Sequence, residues 1–587
     1  MAQQIDRRTL LTSAAVAATG AAVGSVVGRA APAYAATPGR NAVVLGGGMA
    51  GLTAAHELVE RGFSVTVFEP SAWGGKARSI PVVGTGAGGR ADLPGEHGFR
   101  FFPGFYHHVP DTMRRIPFGS GTVGDHLVDA PATGAKFLRA GDHADGFAFG
   151  IGPDPTQLLS VDYLRRYLMD AFGGAQVPPH ELAYFVERLL VFLTSCDERR
   201  LGQWEKVSWW DFVGAAKRSE AYQRVLASGL TRNLVAAKDT IASTRTIGNM
   251  GEAFVYTMMG RGNDGSLDRV LDLPTNEAWI DPWMAHLRSL GVRFVSGQRL
   301  VRYETAGGRV AAAVLADAAG TRRRVVADWF VSAMPAERVV PTLTQDLLAL
   351  DPGLGGIRSL KTDWMVGIQY FLREPVDITR GHITFLDAPW ALTALTQGQF
   401  WADRDIRHDY GDGGVADILS VDISDWDAPG ILFGKPAKEC TRQEIAAEVW
   451  AQVKDHHTAG DKLPDGIVHS WFIDPGVHWD AAAGRNTNDT PLLVNTVDSW
   501  RRRPRARTRI PNLMMSGDFV QTDIDLATME GANESARYAV NAILDGSGSS
   551  APRVATYKLY DPPEFEVLKQ ADKLLYRTGQ RNLLDLG

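Results

Sequence analysis

One run near the start of the chain constrains the fold more than any other: strand, glycine turn, helix, strand, acid. Asn41-Ala42-Val43-Val44-Leu45 leads into Gly46-Gly47-Gly48-Met49-Ala50-Gly51, then an amphipathic stretch, then Ser64-Val65-Thr66-Val67-Phe68-Glu69. Gly46 permits the tight turn, Gly48 lets a pyrophosphate reach the backbone, and Gly51 lets the helix lie close on the strand. Free N–H groups at the helix start then hold phosphates. Glu69, 23 positions after Gly46, is placed to accept hydrogen bonds from ribose hydroxyls.

Residues 1–35 read as lying outside the fold. Asp6-Arg7-Arg8-Thr9-Leu10-Leu11 opens a weakly apolar stretch, and Ala33-Tyr34-Ala35 supplies a small-x-small cleavage site. The paired arginines predict twin-arginine export, with Asp6 where Ser or Thr is more usual, and hence a periplasmic, cell-surface or secreted protein. An uncleaved anchor is the alternative, since about 20 residues suffice to span a bilayer, but Ala, Gly and Thr dominate the stretch. Export in the folded state suits a chain that must close on a cofactor in the cytoplasm.

The 587 residues, 45% of them hydrophobic, allow one very large core or two interleaved ones. The formal charge is −6, and no basic block invites nucleic acid. Arg501-Arg502-Arg503 with Arg505, Arg507 and Arg509 is the local exception, either a solvated loop ahead of a buried strand or a contact for anionic lipid. Cys196 and Cys440 supply neither a disulfide framework nor a metal cluster, although one bridge between them is open.

After the first unit, Trp73-Gly74-Gly75-Lys76-Ala77-Arg78-Ser79 forms a second glycine turn whose cations and bare backbone could meet a pyrophosphate from its other side. Gly95 to Tyr106 follows, rich in glycine and aromatics; it reads as a segment lying along a planar ring or as a packed core turn. Residues from about 155 to 260 read mostly helical, with Leu182, Phe185, Val186, Leu189, Leu190 and Leu193 on one face. Strands are predicted at Val292–Val295, Val310–Leu315, Val325–Met334, Met365–Leu372 and Ile418–Ile423. The closing segment Ile510–Asp518 reads as a buried strand ending in glycine and a carboxylate, and a helix is predicted to open at Asp523 and run to about Leu544.

Four segments, Gly46 to Glu69, Gly74 to Ser79, Ala333 to Pro335 and Asn512 to Ala532, give the chain a resemblance to the flavin amine oxidase superfamily. Within it the chain resembles the carotenoid (phytoene) desaturase and hydroxysqualene dehydroxylase branch of FAD-dependent oxidoreductases. The resemblance implies an α/β fold: a Rossmann-type FAD-binding domain, glutathione-reductase-like, interleaved with a mixed-sheet and helical substrate domain. It implies FAD held by Gly46, Gly48, Ala50, Gly51, Glu69, Gly75, Lys76, Arg78, Val301, Gly517, Asp518 and Met529. The N-terminus of the closing helix would then put its partial positive charge beneath the flavin N1–C2=O edge.

Amine oxidases of this superfamily carry an aromatic residue before the final Met-Glu-Gly-Ala run and a lysine on a substrate-domain strand. Here the first position is Thr528, and the strand Trp364–Phe371 contains no lysine. Two further departures concern the desaturases: Thr275–Trp283 replaces a Gly-Gly-Met-type turn, so that Asp281, Pro282 and Trp283 would alter the cavity lining, and the chain carries an export signal.

The expected organisation is an export signal (1–35), FAD-binding segments at 40–110, 271–340 and 501–547, a helical substrate or cap region (111–270), a substrate domain (341–500) and a C-terminal helical tail (548–587). The expected activity is hydride removal from a lipophilic, isoprenoid or unsaturated substrate onto flavin N5, with oxygen or a quinone as electron acceptor. A secreted amine or amino-acid oxidase producing peroxide and an FAD-dependent double-bond isomerase are the alternatives. The candidate catalytic residues are His97, Arg100 and Thr528, with no metal site. His97, beside Glu96, either moves a proton or packs; Arg100 either polarises a substrate or quinone or forms an ion pair. Asp281, Asp523 and Asp525 are candidates of lower rank that serve equally as helix caps. Phe565, Leu568, Ala571, Leu574 and Leu575 recur at helical spacing, for a peripheral membrane contact or for packing onto the domain.

Overall fold

Strands β1 (Asn41–Leu45) and β2 (Ser64–Glu69) are short β-branched runs buried along most of their length, and α1 (Met49–Val59) crosses between them. They pair in parallel, Val43 opposite Thr66. Three strands from distant parts of the chain extend the sheet: β3 (Arg293–Ser296) on the outer side of β2, β4 (Trp329–Ser332) beside β1, and β5 (Leu513–Met515) beyond β4. An antiparallel meander, Arg299–Ala306, Arg309–Ala316 and Arg322–Val325, connects β3 to β4. The long helix α2 (Met529–Ser547) follows β5 and packs against α1. The structure, a computed structural model, describes residues 39–131, 134–137, 144–145, 159–229, 231–232, 237–385, 387–456 and 463–585. The export signal expected over 1–35 lies outside them.

A seven-stranded mixed sheet forms the second layer. Its central strands, Val366–Leu372 and Asp417–Ile423, are buried at every position, so both of its faces are covered. Ile368, Tyr370, Leu419 and Val421 point into one core, whereas Phe371 and Ile418 point into another. By the two-residue period of a strand, Gln369, Ser420 and Asp422 share the second face. The helices Val161–Ala171, Pro179–Leu193 and Thr244–Met258 enclose a third core, and all six apolar-face residues expected around Leu182 to Leu193 are buried in it.

The structure differs from the expected layout in four places. Gly134–Phe137 and Ala144–Asp145, within the stretch read as helical, are strands that extend the mixed sheet through Ile383–Phe385. The closing helix starts at Met529 rather than Asp523, because Asp525 adopts a left-handed φ of 47° that no α-helix accommodates. Trp283 is fully buried, stacked on Trp279 with ring centroids 5.9 Å apart, and donates its Nε1–H to His56, so it is engaged in the core. Among its described residues the tail is helical over the short 3-10 turn Pro563–Phe565 and the helix Glu566–Arg577. Phe565 and Leu568 pack that helix onto the helical core, and buried Asp572 bonds Arg199 at 2.9 Å, while Leu574 faces outward. Cys196 and Cys440 are buried, free thiols. Among the described residues no helix is long and apolar enough to cross a membrane.

Candidate functional site

The glycine turns create a cradle by leaving out side chains. A Cβ on Gly51 would lie 1.9 Å from the Gly46 carbonyl oxygen, so only glycine lets α1 begin this close to β1. Gly46, at φ 116°, abuts the Ala333 carbonyl that follows β4. The second turn docks on the first: Gly74 N–H donates to the Gly47 carbonyl at 2.9 Å, and a Cβ on Gly75 would reach Gly48 Cα at 3.0 Å. Two bare backbone segments therefore face each other at the α1 N-terminus, where Ala50 is buried in the first turn. This is the space a pyrophosphate needs.

Glu69 ends β2 with both oxygens engaged, one accepting from Gly47 N–H at 2.8 Å and the other from Ser71 N–H at 2.9 Å. It ties the two loops together; Oε1 also accepts from Ser71 Oγ–H, and Oε2, with one bond made, keeps acceptor capacity for a ribose hydroxyl. Val301 falls at a register shift between Leu300 and Arg302, a bulge that takes its peptide out of the ladder. Arg78 donates to the Gly75 carbonyl at 2.6 Å. Lys76 donates to the Pro491 carbonyl and stands 3.3 Å from Glu337. Burial pushes the Glu337 carboxyl up, with Lys76 pulling the other way and Asp518 adding to the push. Lys76, Glu337 and Asp518 thus meet where the closing strand ends. Gly517 has φ 144°, and its N–H donates to Ser535.

Thr528 caps α2 by accepting the Gly531 N–H at 3.0 Å. Met529, the first helical residue, is half-buried. Glu530 turns away to accept the N–H groups of His107, His108 and Val109. Asp525 lies buried between Arg245 and Arg503, Arg245 at 2.5 Å, with Thr246 and Asn495 completing its shell. That arrangement fixes the loop ahead of the helix, and Arg503 is therefore structural rather than part of a solvated run.

A second constellation surrounds the Gly95–Tyr106 segment. His97 Nδ1 stands 2.6 Å from Asp474. Burial, the largest effect, pushes the imidazole below its ordinary value despite Asp474; burial likewise pushes Asp474 up, but His97, the Gly476 N–H and Arg78 together hold that carboxyl below its ordinary value. The contact with the carboxylate puts a ring hydrogen on Nδ1, and in the neutral form that burial favours Nε2 carries a lone pair. Arg100 Nε is 3.9 Å from Glu96 Oε2, too far for a hydrogen bond. Asp422 lies in a slot between Gly98 and Gly367, where a Cβ on either glycine would come within 2.5 Å of Oδ1. Burial pushes Asp422 up to about 7, against the opposing effects of Arg100 and His382. His382 in turn is held by Asp268 at 2.5 Å.

Glu96 Oε2, His97 Nε2, Arg100 Nε and Nη2, His382 Nε2 and Asp422 Oδ1 are all buried without a hydrogen-bond partner. Glu96, Arg100, Thr275 and Gln397 form the polar part of a narrow cavity, whose other walls are Val270, Leu271, Leu273, Leu395, Phe400 and Trp401. Gln369 occupies the strand that carries a lysine in amine oxidases. Its amide accepts the Glu96 N–H at 2.8 Å and donates to Gln397 at 3.2 Å.

Of the three candidate catalytic residues, the structure brings His97 and Arg100 into one cluster and gives Thr528 a helix cap. Asp281 begins the helix Asp281–Ser289, and Asp523 N–H bonds Glu534. Asp422, Asp474, His382, Asp268 and Glu337 are absent from the sequence reading; only sheet register and tertiary contact bring them here. The one group of potential metal ligands among the described residues, His56, Glu60 and His286, is poorly suited to a metal. Trp283 donates to His56 Nδ1, so the ring hydrogen is on Nε2 and points at Glu60, 3.1 Å away.

Residues 49–544 match the family model described as flavin containing amine oxidoreductase. A carotenoid phi-ring synthase of Streptomyces griseus is 25% identical over 520 residues, covering 86% of this chain and 88% of that protein. A carotenoid phi-ring synthase of Chlorobaculum tepidum is 27% identical over 300 residues, half of this chain but 42% of its own length. Among solved structures, an oxidoreductase from Methanosarcina mazei superposes with a TM-score of 0.55 at 14% identity, covering 86% of this chain and all of that one. Putrescine oxidase bound to putrescine superposes with a TM-score of 0.55 at 11% identity, covering 86% and 98%. At these identities the two structures speak for the fold.

Proposed function

The chain belongs to the flavin-containing amine oxidoreductase family as an FAD-dependent oxidoreductase, and from that premise we propose that it dehydrogenates a lipophilic, unsaturated isoprenoid of the carotenoid-ring type. The observation that carries this reading is the similarity to the Streptomyces griseus carotenoid phi-ring synthase along nearly the full length of both chains. The residues support it. The position before Met529 is a capping threonine, and the substrate-domain strand presents Gln369, so neither position supplies an amine with an aromatic cage or a lysine.

The cradle fits FAD: the facing glycine turns would hold the pyrophosphate, Glu69 the ribose, the bulged Val301 peptide the adenine, and Asp518 the ribityl side. Bound FAD supplies the hydride acceptor at N5. The chain does the rest. Apolar walls exclude water, the α2 N-terminus offers positive potential, and His97, held by Asp474, offers a base. Oxygen or a quinone would take the electrons onward. Residues 1–35 would direct the folded, flavin-loaded protein out of the cytoplasm by the twin-arginine route. R7K/R8K should then leave the protein in the cytoplasmic fraction, and an unchanged distribution would end that proposal.

The test of function is anaerobic bleaching of the flavin band, with an isoprenoid lipid extract and a panel of amines and amino acids offered in parallel. Bleaching by the lipid alone is expected. Bleaching by an amine would replace this reading with an oxidase.

A further inference from the structure

We propose that the run Arg501–Arg509 is a docking face for an anionic lipid bilayer, which seats the protein on a membrane surface bearing phosphate headgroups. The choice of a bilayer rests on the isoprenoid reading, because such a substrate partitions into membranes. The sequence leaves this run two roles, a solvated loop or a lipid contact, and its backbone is not that of a loose loop. Gln521 N–H donates to the Pro504 carbonyl and Met515 N–H to the Ala506 carbonyl, both at 2.9 Å, and Arg509 N–H donates to Asp351 at 2.9 Å. Arg507 bridges to Met514 of β5, so the segment covers that edge of the parallel sheet. Arg503, Pro504, Ala506 and Ile510 are buried, whereas Arg505, Arg507 and Arg509 alternate with them and are exposed. The segment is a fixed rail with guanidinium groups on its outer side.

The charges on the rail are uncompensated. Arg505, Arg507 and Arg509 pair with no carboxylate among the described residues. Arg501 and Arg502 share Asp498, at 2.5 and 3.5 Å, and Lys206 acts on the same carboxylate. The chain as a whole carries a formal charge of −6, so an anionic surface repels most of it and attracts it at a local basic face such as this one. Clusters of this size are what anionic bilayers bind, and the arginine fork matches phosphate oxygens. A nucleic acid would also need rings to stack on. Trp500, the aromatic residue of the run, is engaged within the protein instead: the guanidinium carbons of Arg245 and Arg503 lie 3.8 and 5.3 Å from its ring centroid. Among the described residues no helix crosses a membrane, so the contact is peripheral.

The experiment is co-sedimentation of the flavin-loaded protein with vesicles of pure phosphatidylglycerol and of pure phosphatidylcholine. Neither contains an isoprenoid, so the result is independent of what the enzyme oxidises. The protein should sediment with phosphatidylglycerol alone, and should be released at about 1 M salt, where the screening length is about 3 Å. Each cation at an anionic surface strengthens binding about fivefold. Arg505→Gln, Arg507→Gln and Arg509→Gln together should therefore weaken it by about a hundredfold. Arg322→Gln, Arg323→Gln and Arg324→Gln together remove the same charge from another exposed strand and should leave it within about threefold. Flavin content and melting temperature show that each variant is folded; if the first is not, the lipid and salt dependence of the wild-type protein decides. Sedimentation with neither vesicle, equal sedimentation with both, or equal losses in the two triple variants would overturn the inference. Tighter binding to soluble polyglutamate than to vesicles at equal charge would overturn it too, and would put an acidic protein on the rail. All these outcomes leave the isoprenoid reading standing, since that reading is decided by flavin bleaching.

Discussion

At the scale of single residues, the site depends on atoms that are missing as much as on those present. A methyl group on Gly51 would collide with the Gly46 carbonyl at 1.9 Å, backbone against backbone, with nothing flexible to yield. Gly51→Ala should therefore emerge folded but nearly free of FAD, with the ratio of flavin to protein absorbance down by about tenfold. Wild-type flavin content would refute this account of the turn. Asp422 behaves differently. Its carboxyl is raised to about 7 in the folded protein, so the native state holds a proton that the unfolded chain has released. Stability should accordingly fall as pH rises from about 4 to 7, with a full cost of up to about 4 kcal/mol above pH 7. Asp422→Asn abolishes that cost. Its melting temperature relative to wild type should climb between pH 4 and pH 8, and a constant difference would show that Asp422 does not titrate in this window. In the sequence Asp422 is one acid in an apolar run, and only the register with Gly367 and the approach of Arg100 make it chemically distinct. The glycines, by contrast, are legible because their chemistry is local: spacing alone assigns the turn.

Elements were legible where periodicity is strong and boundaries are set locally. The Pro179–Leu193 helix and the strands Arg293–Ser296 and Asp417–Ile423 stand close to their predicted places. α2 starts six residues after the position its sequence predicts because a distant contact decides it. Asp525 is held in a left-handed conformation by Arg245, Arg503, Thr246 and Asn495, all of them from other segments of the chain. The short strand Gly134–Phe137 is illegible for a similar reason, since it joins the sheet through Ile383–Phe385, hundreds of residues away, and Ala144–Asp145 pairs only with it. The Asp525 network carries its own prediction. Asp525→Ala would strand two buried guanidinium groups, a loss of about 3–5 kcal/mol. Soluble yield and apparent melting temperature should both drop steeply, whereas an exposed control such as Asp162→Ala should change neither. If Asp525→Ala melts like the wild type, the loop owes its shape to something else.

On the scale of the whole molecule, the parallel sheet is assembled from residues 41–69, 293–332 and 513–515, and the mixed sheet from strands that alternate with them along the chain. No segment finishes one layer before the other begins, so the cradle exists only once most of the chain has folded. FAD binds the finished arrangement and not the unfolded chain, which makes it a clamp on the native state. At a hundredfold excess over its dissociation constant it adds about 2.7 kcal/mol. The gain should be spatially uneven. Removing FAD from the purified protein should lower the melting temperature and raise amide exchange at 46–52, 73–78 and 517–531, the three loops that meet at the pyrophosphate space and the α2 N-terminus. The helical core around Pro179–Leu193 makes its contacts without the cradle and should keep its protection until global unfolding. Uniform deprotection would mean that the helical layer leans on the cradle and that the enzyme unfolds as a single unit. Deprotection confined to the first glycine turn would mean that Lys76, Asp518 and α2 do not take part in holding the cofactor. The expected three-loop pattern requires that residues separated by more than four hundred positions in the chain act as one binding surface, as the docking of Gly74 on Gly47 and the convergence of Lys76, Glu337 and Asp518 imply.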